Sequence, residues 1–147
     1  MSWIDNVPLD RTKLLPGASA AEIEAVESAL SVKFPAEFRE FLSFADGGRI
    51  SNLVLFSAGR GLHPSERLIP ANIDLPAEFP AILIGSDATY PFGYLKRDIN
   101  APKAPIYFLF EETWQVDCVA SSLEEFLKKI TALPKGEGLR GGKWQDG

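Results

Sequence analysis

Apolar residues near the N-terminus recur at the spacing of an α-helix. Ile23, Val26 and Leu30 lie three and four residues apart, so one helical face would carry all of them. Ser19 and Glu22 have the spacing of a capping box, in which each side chain accepts a hydrogen bond from the other residue's backbone N–H. The pattern predicts a helix over about residues 20–31, with glutamates on its solvated faces.

A second apolar stripe follows in the stretch FPAEFREFLSFADGG, residues 34–48. Between residues 38 and 45 its apolar side chains recur at i, i+3, i+4 and i+7, the pattern of a helix that buries one face. We expect Pro35 in the first turn, where its missing N–H costs nothing, and Gly47 and Gly48 just beyond the C-terminal end. The two patterns together predict an antiparallel pair of short helices.

From residue 49 the apolar pattern shortens into brief runs rich in β-branched and aromatic residues, which are typical of strands. Four strands are predicted: LVLF (53–56), AILIG (81–85), PIYFLF (105–110) and QVDCV (115–119). Residues 111–114 have a suitable length to close a hairpin between the last two. Prolines in the stretch 57–80 predict an irregular connection, with a short strand near 67–69.

The C-terminal part combines one more helix with a polar tail. Ser121 and Glu124 form a second capping-box pattern, and the segment LEEFLKKI after it has an apolar stripe. Residues 134–147 are rich in glycine and charge, with little to bury except Trp144, which indicates a flexible tail. The chain is therefore predicted to be one domain over residues 1–133, followed by this tail.

Composition narrows the class of protein. A chain of 147 residues with 46% hydrophobic and 24% charged residues suits one globular domain. The longest apolar runs, such as Ile106–Phe110, fall far short of the roughly 20 residues that span a bilayer. The first residues lack the basic and apolar regions of a signal peptide. We therefore expect a cytoplasmic protein that does not enter a membrane.

The content of cysteine, histidine and charged residues argues against a zinc or disulfide protein and against a nucleic-acid-binding protein. With one cysteine, Cys118, and one histidine, His63, the chain cannot form an internal disulfide or the usual zinc sites. The net charge of −5 and the pI of about 4.9 argue against direct binding to nucleic acid, where Lys and Arg must neutralise phosphates. No metal or cofactor is expected, and an acidic protein is better matched to a basic protein partner.

Patterns that resemble known reactive motifs lack the surroundings that the chemistry needs. The glycines at 136, 138 and 141 spell GxGxxG, but no predicted strand precedes them and no helix follows. Cys118 and His63 could form a nucleophile and base pair only if the fold brings them together, and a mid-strand cysteine is more commonly a small buried thiol.

The remaining candidates for catalysis are also weak. Ser86 and Asp87 follow a strand, but no nucleophile elbow surrounds the serine, and a turn in which Asp87 bonds to the backbone is the more common arrangement. Glu111 and Glu112 are adjacent and would point in opposite directions, so they suit a hairpin tip better than acid and base catalysis. An unrecognised hydrolase would require other groups to converge on Ser86, Asp87 or Cys118. The sequence predicts no catalytic residues and favours a binding module.

Several segments, in their order, resemble the SUKH superfamily, the Smi and Knr type domain. They are AAEIEAVESAL, VKFPAEFREFLSFADGG, ILIGSD, PIYFLF and VASSLEEFLKKI, and together they cover roughly residues 15–132. The most specific part is the hydrophobic-Pro-x-x-Phe step at 34–38, which leads from an acidic first helix into the second and ends at Gly47 and Gly48. The loop at 88–92 departs from the family pattern, because aromatic residues stand where members often carry small ones.

The resemblance implies an α+β fold, with a mixed, mainly antiparallel sheet of about four to six strands flanked by an N-terminal helix pair and a C-terminal helix. It also implies a non-enzymatic binding protein. Bacterial members look like immunity proteins that bind and neutralise toxins, often nucleases, and fungal relatives act as scaffolds in cell-wall signalling. We therefore expect an immunity protein, or alternatively a scaffold or regulatory module with an endogenous partner.

The contacts with a basic toxin domain would combine charge and aromatic surface. Acidic side chains could occupy the groove that binds phosphates and speed association, while exposed aromatic residues anchor the complex. The candidate contacts are acidic and aromatic residues in predicted loops: Glu66, Asp87, Tyr90, Phe92, Glu111, Glu112 and Trp114.

Overall fold

A seven-stranded antiparallel sheet forms the centre of the computed structural model, which describes residues 3–59, 63–87, 89–110, 112–133, 139–140 and 143–144. The strands are β1 (Leu14–Pro16), β2 (Ala45–Ile50), β3 (Leu53–Leu55), β4 (Ala81–Ser86), β5 (Pro91–Leu95), β6 (Ile106–Phe110) and β7 (Gln115–Ala120). They lie side by side in chain order, and every neighbouring pair is antiparallel. The α+β class and the mainly antiparallel pairing are confirmed, but the sheet has no parallel strand pair and has seven strands where about four to six were expected.

Four α-helices accompany the sheet in the described part of the chain: α1 (Ala20–Leu30), α2 (Ala36–Phe44), α3 (Leu68–Asn72) and α4 (Leu123–Ala132). Short 3-10 helices cover Trp3–Asn6, Arg11–Lys13, Pro64–Glu66 and Lys96–Asp98. The two-residue strands β8 (Leu139–Arg140) and β9 (Lys143–Trp144) pair with each other. The glycines of the GxGxxG pattern and the other residues of the predicted tail lie outside the described residues.

The predicted helix pair is present, with a correction at each end of α2. The capping box of α1 is confirmed: Ser19 Oγ accepts the Glu22 N–H at 3.1 Å, and Glu22 Oε1 accepts the Ser19 N–H at 2.9 Å. Pro35 is the N-cap of α2 and does not lie in its first turn. The chain passes from Phe44 directly into β2, so the two glycines that were expected to stop the helix lie inside a strand.

Gly47 and Gly48 have positive φ angles of 80° and 129°, which favour glycine. A β-carbon on Gly47 would lie 2.5 Å from the carbonyl oxygen of Leu55, and one on Gly48 would lie 2.5 Å from that of Lys13. The glycines therefore let β2 fit closely between its neighbours β1 and β3.

Helix α3 replaces the short strand predicted near residues 67–69. Immediately before this helix, Arg67 forms an isolated parallel bridge with Ser57. The Asn72 side chain at the end of α3 pairs with the backbone of β4: its Oδ1 accepts the Leu83 N–H at 2.7 Å, and its Nδ2 donates to the Leu83 carbonyl at 2.9 Å. The amide thus satisfies backbone groups of Leu83 that would otherwise be buried without a partner.

One face of the sheet packs against the helices. Phe92 on β5 contacts Phe108 on β6 and Phe126 on α4, with ring centroids 5.5 and 5.0 Å apart. Tyr94, two residues along β5, packs against Phe38 of α2 at 6.0 Å. Helix α4 is capped by Ser122, whose side chain accepts the Glu125 N–H at 3.1 Å, one residue later than the predicted cap at Ser121.

A buried carboxylate connects the sheet with helices α2 and α4. Glu37 on α2 is 3% exposed. It accepts hydrogen bonds from the backbone N–H groups of Leu123 (2.9 Å) and Ala104 (3.4 Å) and from the Tyr94 hydroxyl (3.1 Å). Burial raises the pKa of Glu37 above its ordinary value, although these hydrogen bonds oppose the shift. Its role is to connect α2 with β5 and with the start of α4.

Candidate partner-binding surface

Several of the acidic residues are buried and stabilise the fold. In the described part of the chain, Glu27, Glu37, Asp46 and Asp87 are all buried. Asp46 accepts the backbone N–H groups of Ala58 (2.6 Å) and Gly59 (3.4 Å), and Glu27 accepts that of Phe34 (2.8 Å). A carboxylate that accepts backbone hydrogen bonds fixes a turn or a helix end. The candidate binding residues must therefore be sought among the exposed acids.

The predicted candidates after β4 include residues that stabilise the fold. Asp87 Oδ1 accepts the N–H groups of Thr89 (2.9 Å) and Tyr90 (2.8 Å), which confirms the turn interpretation. The half-buried Tyr90 ring packs edge to face on Phe110, with centroids 4.8 Å apart. Phe92 was expected in a loop, and this is wrong. It lies in β5 with no exposed surface, because it fills the space between the sheet and α4.

Glu66 lies near the other end of the sheet, in the 3-10 helix Pro64–Glu66. Its backbone carbonyl accepts the Ser57 N–H at 2.9 Å. Glu66 and His63 line a cleft of about 580 Å³ together with Lys13, Arg49 and apolar residues of β1 and β3. Because β1 to β3 and β6 to β7 occupy opposite ends of the strand order, Glu66 does not belong to the group of candidates around the β6–β7 turn.

The turn between β6 and β7 presents two of the predicted candidates to solvent. Glu112 is exposed, and Trp114 is 40% exposed. The backbone N–H of Trp114 donates to the Phe110 carbonyl at 2.7 Å, with φ at +59°. Its ring packs edge to face on Phe79, with centroids 5.5 Å apart. Glu111, the remaining candidate, lies outside the described residues.

Strand register extends this exposed region along β7. Phe108 is opposite Asp117, on the face that holds α4, whereas Leu109 is opposite Val116 and Tyr107 is opposite Cys118. Since successive side chains alternate between faces, the last two pairs lie on the face away from α4. We define the outer strip as the side chains of Tyr107, Val116 and Cys118 on this face, together with Trp114 in the turn that leads into β7.

Sequence reasoning missed most of the outer strip. Val116 is 38% exposed, and Cys118, which was expected to be a buried thiol, is exposed. Its Sγ lies 3.5 Å from the Ala120 carbonyl oxygen. The alternation of residues 115–119 offered only a weak signal, because it does not show that β7 is the last strand of the sheet. An edge strand can expose apolar residues that would be covered in a central strand.

The stretch of chain that carries the outer strip has charges of one sign. Residues 104–127 contain five acidic residues and no lysine, arginine or histidine. Glu124 is paired with Lys103 at 3.4 Å and Lys128 at 2.7 Å, which lie just outside this stretch. Glu112, Asp117 and Glu125 are exposed. The β6–β7 region therefore exposes both acidic and apolar side chains: Glu112 lies in the turn, Val116 and Cys118 face away from α4, and Asp117 lies on the α4 side.

The described residues hold no group of three or more His, Cys, Asp or Glu side chains that could bind a metal ion. Among those same residues, no helix has the length and apolar character needed to cross a membrane.

A known protein family matches most of the chain. The family model described as SMI1 / KNR4 family (SUKH-1) matches residues 17–129. The chain belongs to the SMI1/KNR4 family (SUKH-1). No curated protein matches the sequence. The family match confirms the resemblance identified from the sequence motifs.

The SUKH-1 match takes in α1, α2, β2 to β7 and most of α4, and it therefore includes both the Glu37 connection and the β6–β7 region. Membership of the SMI1/KNR4 family suggests an immunity or regulatory protein, and the family is generally non-catalytic.

Proposed function

We propose that this SUKH-1 protein is a non-catalytic immunity protein that neutralises a toxin domain by binding it directly. The observation that carries the proposal is the acidic stretch 104–127, which includes the exposed side chains of Glu112 and Asp117. A nuclease toxin must bind phosphates with a basic surface, and an acidic protein can compete for that surface. Blocking the toxin's phosphate-binding surface requires only stoichiometric binding and no catalysis.

Co-expression tests the proposal. A toxin domain encoded by a neighbouring gene is expressed from an inducible promoter, with and without this protein. Protection of growth, together with a one-to-one complex on a sizing column, would support an immunity function. Failure to protect cells from that toxin would reject it.

A scaffold or regulatory module is the second candidate, since the exposed apolar residues Trp114 and Val116 would suit an endogenous protein partner as well. Gene neighbours discriminate the two functions. A toxin or secretion component beside the gene favours immunity, whereas neighbours of neither kind favour the regulatory function.

A further inference from the structure

We infer that the outer strip, at the edge strand β7, is the surface that contacts the partner, and that the partner presents an apolar area with basic side chains beside it. The existence of a toxin partner rests on the proposed function. The location of the contact rests on exposure, strand register and charge in the β6–β7 region.

Exposure singles out this surface. Among the described residues, the large hydrophobic side chains with the greatest exposure are Ile73 (51%), Trp114 (40%) and Val116 (38%). Two of these lie two residues apart on the outer strip. Exposed apolar side chains that lie together mark interaction sites more strongly than scattered ones do. Ile73, at the end of α3, supplies a control of similar exposure outside the strip.

Trp114 has the properties of an anchor. Its backbone is held by the hydrogen bond to Phe110 at 2.7 Å, and its ring is supported by Phe79 at 5.5 Å. A ring that is already fixed loses little conformational entropy when a partner covers it, and tryptophan is enriched among residues that dominate binding energy. Its exposed face can also receive a lysine or arginine of the partner.

The sheet supports the rest of the strip. Val116 lies opposite Leu109 of β6, which has no exposed surface. A buried residue therefore supports Val116 on the neighbouring strand. Tyr107, opposite Cys118, is half-buried. The opposite face of β6 is already covered, because Phe108 faces the layer formed by Phe92 and Phe126. The exposed apolar side chain of β7, Val116, is on the other face, which the Phe92 and Phe126 layer does not cover.

The negative charge of the β6–β7 region indicates which kind of partner would bind. Glu112 is exposed in the turn before Trp114, and Asp117 is exposed on the same edge strand as Val116 but on its other face, in a stretch without cationic side chains. A second copy of this chain would bring like charges together, which is unfavourable at an interface. Nucleic acid would be repelled for the same reason. A basic protein surface is the complement that remains.

Matched substitutions test the location. The toxin domain against which the protein protects cells in the co-expression test, inactivated at its own catalytic site, serves as the probe in titrations. Trp114→Ala and Val116→Ser should each weaken binding, with about a 30-fold loss for Trp114→Ala if it is a dominant contact. Ile73→Ser removes a similarly exposed apolar side chain and should leave Kd within about twofold. Urea unfolding of each variant shows whether it is folded before it is titrated.

Cys118 provides an independent readout because it is the chain's single cysteine and is exposed on the strip. Its rate of alkylation by a maleimide should fall at least about tenfold when saturating toxin domain is added, since a covered thiol must wait for dissociation. The control protein carries Cys118→Ser and Ser28→Cys, which moves the thiol to an exposed position on α1, and its rate should not change.

The outcomes distinguish a failure of the proposed function from a failure of the assigned surface. If the unmodified protein neither protects nor binds, the proposed function fails, and the assignment of the strip to a toxin partner fails with it. If it protects and binds while Trp114→Ala keeps full affinity and Cys118 keeps its reactivity, only the assigned surface is rejected. If Cys118 becomes protected without toxin as the molecular mass doubles, a second copy occupies the strip, and the assignment to a basic partner is rejected.

Discussion

The carboxylate of Glu37 accepts the backbone N–H of Leu123 at 2.9 Å, although 86 residues separate the two along the chain. Leu123 is the first residue of α4, whose first N–H groups have no partner within the helix. The same carboxylate also accepts the Tyr94 hydroxyl at 3.1 Å. One side chain therefore sets the position of α4 relative to α2 and β5.

Removal of this carboxylate should destabilise the fold. Glu37→Ala would leave the Leu123 N–H and the Tyr94 hydroxyl buried without their acceptor, at a cost of about 1–3 kcal/mol for each group. Glu37→Gln keeps one oxygen and should cost less. Glu24→Ala, at an exposed position of α1, should stay within about 0.5 kcal/mol. Urea unfolding measures all three variants, and equal effects at positions 37 and 24 would contradict the assigned connection.

The free energy of unfolding should depend on pH through the titration of Glu37. Burial raises its pKa in the folded protein, so the folded state binds the proton more tightly than the unfolded state does. Between 4.5, the ordinary value, and the raised pKa, the free energy of unfolding should therefore fall as pH increases. The contribution of Glu37 is fully favourable only below this window.

The Glu37→Gln variant isolates that contribution, because the amide does not titrate. Urea unfolding of both proteins from about pH 4 to about pH 8 gives the difference in free energy of unfolding at each pH. We expect the unmodified protein to lose stability relative to Glu37→Gln as pH rises through the window. A relative gain with rising pH would mean that the hydrogen bonds outweigh burial and that the pKa is lowered.

Substitutions of Phe92 and Trp114 should separate a core residue from a surface residue. Phe92 has no exposed surface, so Phe92→Ala should cost about 3–5 kcal/mol through the cavity it leaves. Trp114 is 40% exposed, and the loss of its contact with Phe79 should cost about 1 kcal/mol. Thermal or urea unfolding checks the order, and a larger loss at Trp114 would show that its ring serves the fold more than binding.

The sequence predicted correctly those elements whose pattern lies within the element itself, and it missed elements that form only through pairing with distant strands. Helix α1 was predicted almost to the residue, because its cap at Ser19 and its apolar spacing are both local features. Strand β2, with the sequence ADGGRI, lacks the usual strand residues and forms because β1 and β3 accept it on both sides. Strand β5 was hidden for a similar reason, since PFGYL begins with proline and contains a glycine.

The candidate surface was predictable only in part. Trp114 and Glu112 were identified because a turn between two strands is exposed. Val116 could not be placed, because the side of the sheet that it faces depends on its register with Leu109 and on the position of α4. Phe92 was misplaced because an aromatic residue after a proline looks like a loop residue until its strand is paired.

Gly47 should tolerate substitution poorly. An alanine there must adopt φ near +80° and would bring its β-carbon within 2.5 Å of the Leu55 carbonyl oxygen, so we expect a loss of more than about 1 kcal/mol. Gly59→Ala is the matched control, because a β-carbon there would meet only the end of the Glu22 side chain, at 3.8 Å. Urea unfolding of both variants is decisive: a neutral Gly47→Ala would contradict the close approach of β2 and β3.

Association with a basic toxin domain, if the proposed function holds, should slow as ionic strength rises. Glu112 and Asp117 are exposed, and exposed charges that steer an encounter are screened over about 8 Å at physiological salt. Stopped-flow measurements at increasing salt should show a falling association rate, with a smaller change in the dissociation rate. In the double variant Glu112→Gln and Asp117→Asn the salt dependence should be shallower, whereas Glu24→Gln, at an exposed position on α1, should preserve it. A rate that does not change with salt would reject charge steering while leaving Trp114 as an apolar anchor, because burial of an indole ring does not depend on screened charges.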